Sequence, residues 1–273
     1  MPGPIGYGTP LASLAALSRA SQAQQVTLAQ ISAGQRITSA AIDPAGLAVF
    51  AELDASSAST RVAMRNSNDG ISLLQTAEGA TSSVTDNLKR MRELAVQASS
   101  GTLNADQRAS IDAEFQQLQE EIDRTSGSAE FNGLALADGS TPSIDVQVGT
   151  DSAASSRVSI GLADLSTTAL GVDTASLATQ GGAQSALDLI DTALDSASSQ
   201  RSELGAAQNR MTAAYDVGEA RYTSETTAAS RIMDLDFAAA VSEQTRNQLQ
   251  QETGIAALVQ ARNIQRTAVL GLL

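Results

Sequence analysis

The sequence predicts a mainly α-helical fold: a long antiparallel coiled-coil-like rod bundle with a small β-hairpin insert, and with the N- and C-terminal helices paired. Three observations predict this fold. Apolar residues recur every three or four positions over long stretches, as in coiled-coil seams. Aromatic residues are only 3% of the chain, which suits packed helices better than a compact globular core. One central segment, at 128–182, is instead rich in Gly, Ser, Thr and Asp.

The strongest helical pattern lies between residues 66 and 100. Asp43 is a good N-cap and Pro44 suits a first helical position, so the helix is expected to begin near residue 44 and to continue to about 99. About 33 residues of helix measure roughly 50 Å, so its apolar stripe needs partner helices. The stripe consists of Ile71, Leu74, Ala77, Thr81, Val84, Leu88, Met91, Ala95 and Ala98.

Two later segments supply partners. Asn104 and Gln107 resemble a capping box, so a helix is expected after them, ending near Gly127 in a left-handed C-cap. A second long seam begins at about residue 183. Its predicted members are Leu187, Ile190, Leu194, Ala197, Arg201, Leu204, Gln208, Met211 and Tyr215.

Helices are also predicted at both ends of the chain, from Leu11 to the interruption at Gly34 and over about 239–270. Their apolar stripes are thin and mixed with Gln, Ser and Thr, so each helix is marginal alone. One interpretation is frayed ends, and the other is helices that become ordered in an assembly. The residues predicted to serve polymerisation are Leu14, Leu17, Leu28, Ile31, Leu249, Ile255, Leu258, Val259 and Leu270.

The central segment predicts a β-hairpin. Residues 143–148 and 157–162 alternate apolar and polar side chains, as half-buried strands do, and 163–182 reads as a loop. The predicted division is therefore an N-terminal helix of an inner domain (1–42), a rod domain (43–232) with the hairpin insert near 131–182, and a C-terminal helix of the inner domain (233–273).

Composition argues against several functions. There is no Cys and no His, which removes disulfides, thiolate metal sites and the usual general base. The net charge of −13 disfavours nucleic-acid binding, and no membrane span is expected. Asp234 and Asp236 could be paired catalytic carboxylates, but helix capping explains them better. We expect no enzyme activity, metal or cofactor.

Several motifs, in order along the chain, resemble those of bacterial flagellin. They occur in both halves of the chain and leave only about 135–185 uncovered. The matching segments are Arg36–Ala40, Asn66–Ser72, Gln75–Ala80, Met91–Gln97, Glu121–Arg124, Glu130–Gly133, Leu204–Arg210 and the tail from Gln250 to Leu273. The short insert implies a flagellin with inner domains only, although Pro2, Pro4 and Pro10 depart from the family's usual start.

The resemblance implies a structural subunit of the flagellar filament, which self-assembles into a helical tube for motility. It implies terminal helices in the inner tube and rods in the surrounding layer. The implied partners are other copies of the chain, the flagellar type III export apparatus, a flagellin chaperone, the filament cap and the hook–filament junction proteins. The implied location is the extracellular filament, reached without a cleaved signal peptide; the N-terminal decad has no basic region typical of such a signal.

A charged cluster follows the stripe of the long helix. It is either a solvated face with local ion pairs or part of a subunit interface. In related flagellins the vertebrate Toll-like flagellin receptor recognises this region, which makes that receptor a candidate partner, although Leu118 stands where a basic residue often occurs. The candidate surface consists of Leu88, Lys89, Arg90, Arg92, Glu93, Leu94 and Glu114.

Two alternatives to a filament subunit remain open at this point. A hook–filament junction protein would share the terminal helices. A coiled-coil secretion chaperone or adaptor would also be helical, but it would not need marginal helices at both ends of the chain. Long filaments in electron micrographs, as opposed to discrete particles, separate the filament subunit from the chaperone.

Overall fold

A computed structural model describes the backbone of residues 9–270 and the side chains of 14–264, 266 and 267. The predicted mainly helical fold with a β-hairpin insert is confirmed. In chain order, the elements are α1 (Thr9–Ala33), α2 (Pro44–Ala98), α3 (Ala105–Ser128), β1 (Glu130–Phe131), β2 (Leu134–Ala135), β3 (Ser143–Gln147), a 3-10 turn (Ala154–Ser156), β4 (Arg157–Gly161), α4 (Gln180–Met233) and α5 (Phe237–Leu270).

The chain divides into two compact units. The terminal unit comprises Met1–Ala55 and Ser224–Leu273, and the central unit comprises Ser56–Thr223. The boundaries expected from the sequence, at 42/43 and 232/233, lie near helix ends, whereas the boundaries between the two units lie within α2 and α4. The three-part division stays a prediction. Each unit has its own packing, described separately below.

The predicted stripe of α2 lies in the core of the central unit. Every predicted position is buried except Ile71, which is half-buried. The stripe continues towards the N-terminus through small or polar residues, Ser57, Thr60, Ala63, Ser67 and Gly70, which are also buried. The heptad-like spacing of buried residues therefore continues into this segment, which lacks large apolar side chains. Small side chains allow the helices to approach closely there.

Helix α3 begins as predicted. The Gln107 backbone N–H donates to Asn104 Oδ1 at 2.8 Å, and the Asn104 N–H donates to Gln107 Oε1 at 3.0 Å, which completes a capping box. The left-handed cap predicted at Gly127 is wrong. The helix runs on to Ser128 and ends at Ala129 in extended conformation, because the Ala129 N–H satisfies the Thr125 carbonyl and the chain passes directly into β1.

The predicted seam of α4 is half right. Ile190, Ala197, Leu204 and Met211 are buried, but Arg201 is exposed and the remaining members are half-buried. The other half of the buried stripe lies one residue earlier in each heptad, where three alanines allow close helix approach and the amide of Gln200 donates to the Gly161 carbonyl. These buried positions are Ala186, Ala193, Gln200 and Ala207.

The hairpin pairs β3 with β4 in antiparallel register, with Ile144 opposite Ile160 and Val146 opposite Val158. The buried side chains of β4 pack on Leu74, Leu204 and their neighbours, as a two-stranded hairpin requires for stability. Gln200 Nε2 from α4 donates to the Gly161 carbonyl at 3.1 Å, which ties the hairpin to the helices.

A second, smaller hairpin was not predicted. Strands β1 and β2 flank Asn132 and Gly133, which have φ values of 52° and 78°. Two successive positive φ angles are characteristic of a type I′ turn, for which Asn-Gly is the strongest sequence signal. The motif Glu130–Gly133 therefore carried a structural signal as well as a family resemblance.

The segment between β4 and α4 is irregular, as predicted, but it packs tightly on the helices. Leu165, Val172 and Leu177 are buried in the same core as α2 and α3. The Asp123 carboxylate of α3 accepts a hydrogen bond from the Thr167 backbone N–H at 2.8 Å, and Asp112 accepts from Ser176 Oγ at 3.0 Å. This loop is therefore part of the core of the central unit.

Candidate subunit interface

The terminal unit pairs α1 with α5. Gly34, with φ of +68°, ends α1 in the left-handed region that glycine adopts readily. The next residue, Gln35, forms an antiparallel bridge with Asp234. The Arg36 N–H donates to the Met233 carbonyl at 2.7 Å. These contacts turn α1 and α5 back along each other as an antiparallel pair.

Many of the large apolar side chains of this pair face away from the seam. Helices α1 and α5 together expose a set of large apolar residues, each at least 41% accessible. In a stable isolated pair such residues would lie between the helices. The exposed set is Leu14, Val26, Leu28, Phe237, Val241, Leu249, Ile255, Val259 and Ile264.

The seam itself is built from small and polar side chains. Ala20 and Thr27 are buried on α1, and Ala240 and Asn247 are buried on α5. Further along, Leu17 packs on Gly254, where an added Cβ would lie 3.6 Å from Leu17 Cδ1. The pair thus inverts the usual pattern and leaves an extended apolar surface available for another molecule.

The residues predicted to serve polymerisation fall into two groups. Leu14, Leu28, Leu249, Ile255 and Val259 are exposed, as an interface requires. The half-buried residues are Leu17, Ile31 and Leu258. Leu270 ends α5, and its side chain lies outside the described residues.

Four exposed apolar residues were missed by the sequence reasoning: Val26, Phe237, Val241 and Ile264. Val26, Val241 and Ile264 lie within the predicted helices, whereas Phe237 begins α5 about two residues before its predicted start. The sequence signal that could have identified them is their position beside the regularly spaced seam residues, such as Thr27 and Ala240. The sequence predicts a thin apolar stripe on each terminal helix. In the structure, exposed apolar residues instead flank a buried stripe of small and polar residues.

The charged cluster on α2, in the central unit, is exposed and internally paired. Arg90 donates to Glu114 of α3 at 2.7 Å and to Glu93 at 2.9 Å. Arg92 donates to Asp191 of α4 at 2.6 Å. The hydrogen bonds that Arg90 donates, first to Glu114 and then to Glu93, raise the pKa of Arg90. The cluster therefore crosslinks three helices on their solvent side.

Two residues of the predicted surface lie elsewhere. Leu88 is 0% exposed and Leu94 is 2% exposed, and both belong to the core that contains Phe115 and Ile190. Their placement on an exposed interface is corrected here. They belong to the stripe of α2 that faces the core, so their side chains are not available to a partner.

The carboxylates considered for catalysis act as structural groups. Asp236 Oδ1 accepts hydrogen bonds from the N–H groups of Ala238 and Ala239, at 3.0 and 3.1 Å, and so caps α5. Asp234 accepts a hydrogen bond from Ser230. Within the described part of the chain, no group of three or more His, Cys, Asp or Glu residues could hold a metal ion.

No helix in the part of the chain that the structure describes has both the length and the apolar character needed to cross a bilayer.

Comparisons with known proteins agree with this architecture. Family models described as the bacterial flagellin N-terminal and C-terminal helical regions match residues 8–141 and 187–273. Flagellin of Halalkalibacterium halodurans is 40% identical, with 91% of both chains covered. Flagellin of Bacillus subtilis is 35% identical over 96% of this chain and 97% of that protein.

A solved structure gives the same result for the fold. The crystal structure of Bacillus cereus flagellin has a TM-score of 0.50 and 34% identity, and the match covers 56% of this chain and 88% of that one. Matches to both family models and to full-length relatives above 30% identity leave one assignment: the chain belongs to the bacterial flagellin family.

Proposed function

We propose that the outward apolar faces of α1 and α5 are the surfaces through which this flagellin polymerises. As a flagellin, the chain is a structural subunit of the bacterial flagellar filament. The observation that carries the proposal is the inverted packing of the terminal unit. Its seam is built mainly from small and polar residues, whereas residues such as Leu249, which is 56% exposed, face outward.

The energetics favour association through this surface. Fully burying a Leu, Ile or Val side chain contributes about 1.5–3 kcal/mol. Leu249, Ile255 and Val259 are each slightly more than half exposed, so burying what remains contributes roughly 1 kcal/mol per residue. Summed over many such residues, this gain can exceed the cost of immobilising a subunit, which is estimated at 4–15 kcal/mol.

We also propose that the charged residues of α2 contribute to a second surface. Lys89, Arg90, Arg92, Glu93 and Glu114 are all exposed, and they lie together on the solvent side of α2 and α3. Arg90 is paired with Glu114 of α3 and Arg92 with Asp191 of α4, so these charges are already paired within the chain and link neighbouring helices. Such a surface suits contact with a neighbouring subunit, and it is the surface that the Toll-like flagellin receptor would meet.

The remaining expectations belong to the same proposal. The chain acts as a structural protein without catalytic activity. Its partners are the flagellar type III export apparatus, a flagellin chaperone, the filament cap and the hook–filament junction proteins. It is located outside the cell, in the filament, and reaches that place without cleavage of a signal peptide.

Truncation tests the proposal. A variant that lacks residues 1–42, and another that lacks 233–273, should remain folded and soluble by circular dichroism and should form no filaments in electron micrographs. The full chain at the same concentration should form long filaments. Normal filaments from either truncated protein, or discrete particles from the full chain, would contradict the proposal.

A further inference from the structure

The methionines are the most readily oxidised side chains of this chain. The sequence contains five Met and no Cys, Trp or His, so a peroxide finds few other side chains to attack. Oxidation to the sulfoxide converts the flexible apolar side chain of Met into a polar one. The effect of oxidising each methionine therefore depends on how its sulfur is packed.

The methionine side chains that the structure describes differ in exposure. Met91 and Met211 are 0% exposed and Met233 is 8% exposed. Met64 is half-buried. A peroxide in solution therefore reaches Met64 in the folded chain, whereas it reaches a fully buried sulfur only when the surrounding structure opens.

Met64 lies in the contact between α2 and α4. A Cβ added to Gly218 of α4 would lie 2.9 Å from Met64 Cγ and 3.8 Å from Met64 Sδ. The Met64 side chain therefore packs directly on the backbone of α4, at a position where α4 has no side chain. Close by, Arg61 donates to the Tyr222 hydroxyl at 3.0 Å, so the same two helices are also joined on the N-terminal side of Met64.

The reciprocal contact is made by Met211 of α4. A Cβ added to Gly70 of α2 would lie 3.1 Å from Met211 Cε and 3.3 Å from Met211 Sδ. Each helix thus presents a glycine to a methionine of the other helix. Met64 precedes Gly70 by six residues, so at 1.5 Å per residue the two contacts are about 10 Å apart along the seam.

A sulfoxide is incompatible with either contact. The added oxygen is polar, and a buried polar group without a hydrogen-bond partner destabilises a fold. The Met64 sulfoxide reaches water by leaving the surface of Gly218. Because glycine has no side chain to fill the space, the packing between α2 and α4 is lost at this level.

We propose that Met64 is a peroxide-sensitive site whose oxidation loosens the α2–α4 seam and thereby exposes Met211 to a second oxidation. In each step the thioether sulfur attacks one oxygen of hydrogen peroxide, and an S–O bond forms as the O–O bond breaks. The proton on the transferred oxygen passes to the departing hydroxide, which leaves as water. The sulfur is oxidised by two electrons, and the peroxide is reduced.

The test is a time course of oxidation of the full chain, as soluble subunits in hydrogen peroxide. Mass spectrometry of the peptides that contain each methionine measures the two rates. In the unmodified protein, Met64 should be oxidised first and Met211 should follow after a lag. The lag is expected because Met211 becomes accessible only after the contact of Met64 with Gly218 has been lost.

Two substitutions separate the polarity of the first site from its oxidation. Met64→Gln places a polar side chain of similar length against Gly218, and Met64→Leu keeps an apolar one. Met211 should be oxidised about fivefold faster in Met64→Gln than in Met64→Leu, and without a lag, since one lost contact changes an opening equilibrium by this order. Met91 is the internal control, because it is equally buried but belongs to a different apolar core.

A thermal measurement checks the same inference independently. Oxidation of Met64 should lower the melting temperature by about 2–4 °C, and treatment with methionine sulfoxide reductases should restore it. The inference is overturned if Met211 is oxidised as fast as Met64 in the unmodified protein, or if the two variants oxidise Met211 at equal rates. An equal acceleration of Met91 in Met64→Gln would also overturn it, because the opening would then be global.

Discussion

Replacing Leu88 by Ala tests whether this residue belongs to the core or to the surface. Leu88 is 0% exposed in the cluster that contains Phe115 and Ile190. Removing three carbon atoms costs about 2.4 kcal/mol at roughly 0.8 kcal/mol per buried methylene. The residual cavity adds to this, so we expect a total loss of about 3–4 kcal/mol in the free energy of unfolding.

The assay is urea unfolding of the full chain followed by circular dichroism. With a slope of roughly 2 kcal/mol/M, the unfolding midpoint of Leu88→Ala should fall by about 1.5–2 M. Val96→Ala is the control, because Val96 lies on the same helix and is 51% exposed. Its midpoint should change by at most about 0.25 M, since surface substitutions stay within ~0.5 kcal/mol. Equal shifts for the two variants would refute the inward placement of Leu88.

Two further predictions concern the central unit. Gly79→Ala should raise the free energy of unfolding in urea by about 0.5–1 kcal/mol, because an added Cβ there meets no atom within 4 Å. Gly218→Ala should lack this gain, because its Cβ would lie 2.9 Å from Met64 Cγ. The hydrogen bond from Arg92 lowers the pKa of Asp191, so the pair stabilises the fold above the usual carboxyl pKa and loses this effect as pH falls through the lowered value. Arg92→Gln should therefore lower the melting temperature slightly at pH 7 and not in strongly acidic buffer; a deficit independent of pH would contradict this role.

The helices of this chain could be predicted because their signals are local. Asp43 and Pro44 mark the start of α2, and the Asn104 capping box marks the start of α3. The spacing of the α2 stripe also predicted its buried face, since a seam of large apolar residues has one favourable orientation. These features depend on neighbouring residues in the sequence and need no knowledge of the fold.

Placement between helices was less predictable. Spacing alone could not decide between Leu187 and Ala186 as members of the α4 seam, because both lie three or four residues from Ile190. The choice depends on how closely the helices approach, which is a property of the assembled unit. Leu88 and Leu94 were assigned to a surface through the family resemblance, although their own spacing predicted burial for Leu88.

The candidate interface shows the same limit most clearly. In the terminal unit, Leu14 and Leu28 belong to the thin apolar stripe that the sequence predicts for α1. The seam instead runs through Ala20 and Thr27, and the apolar residues face outward. A pattern of apolar residues indicates which face must be covered, but it does not indicate whether the cover comes from the same chain or from another copy.

The most direct test of the central claim is the critical concentration for polymerisation of Leu249→Ser/Val259→Ser, measured by sedimentation and electron microscopy. Both side chains are more than half exposed, and losing about 1 kcal/mol of burial for each corresponds to roughly a 30-fold higher critical concentration. The control Val62→Ser/Val217→Ser changes two exposed residues of the central unit and should have a smaller effect. If the first variant polymerises at the concentration of the unmodified protein while remaining folded, the outward faces of the terminal helices do not drive assembly.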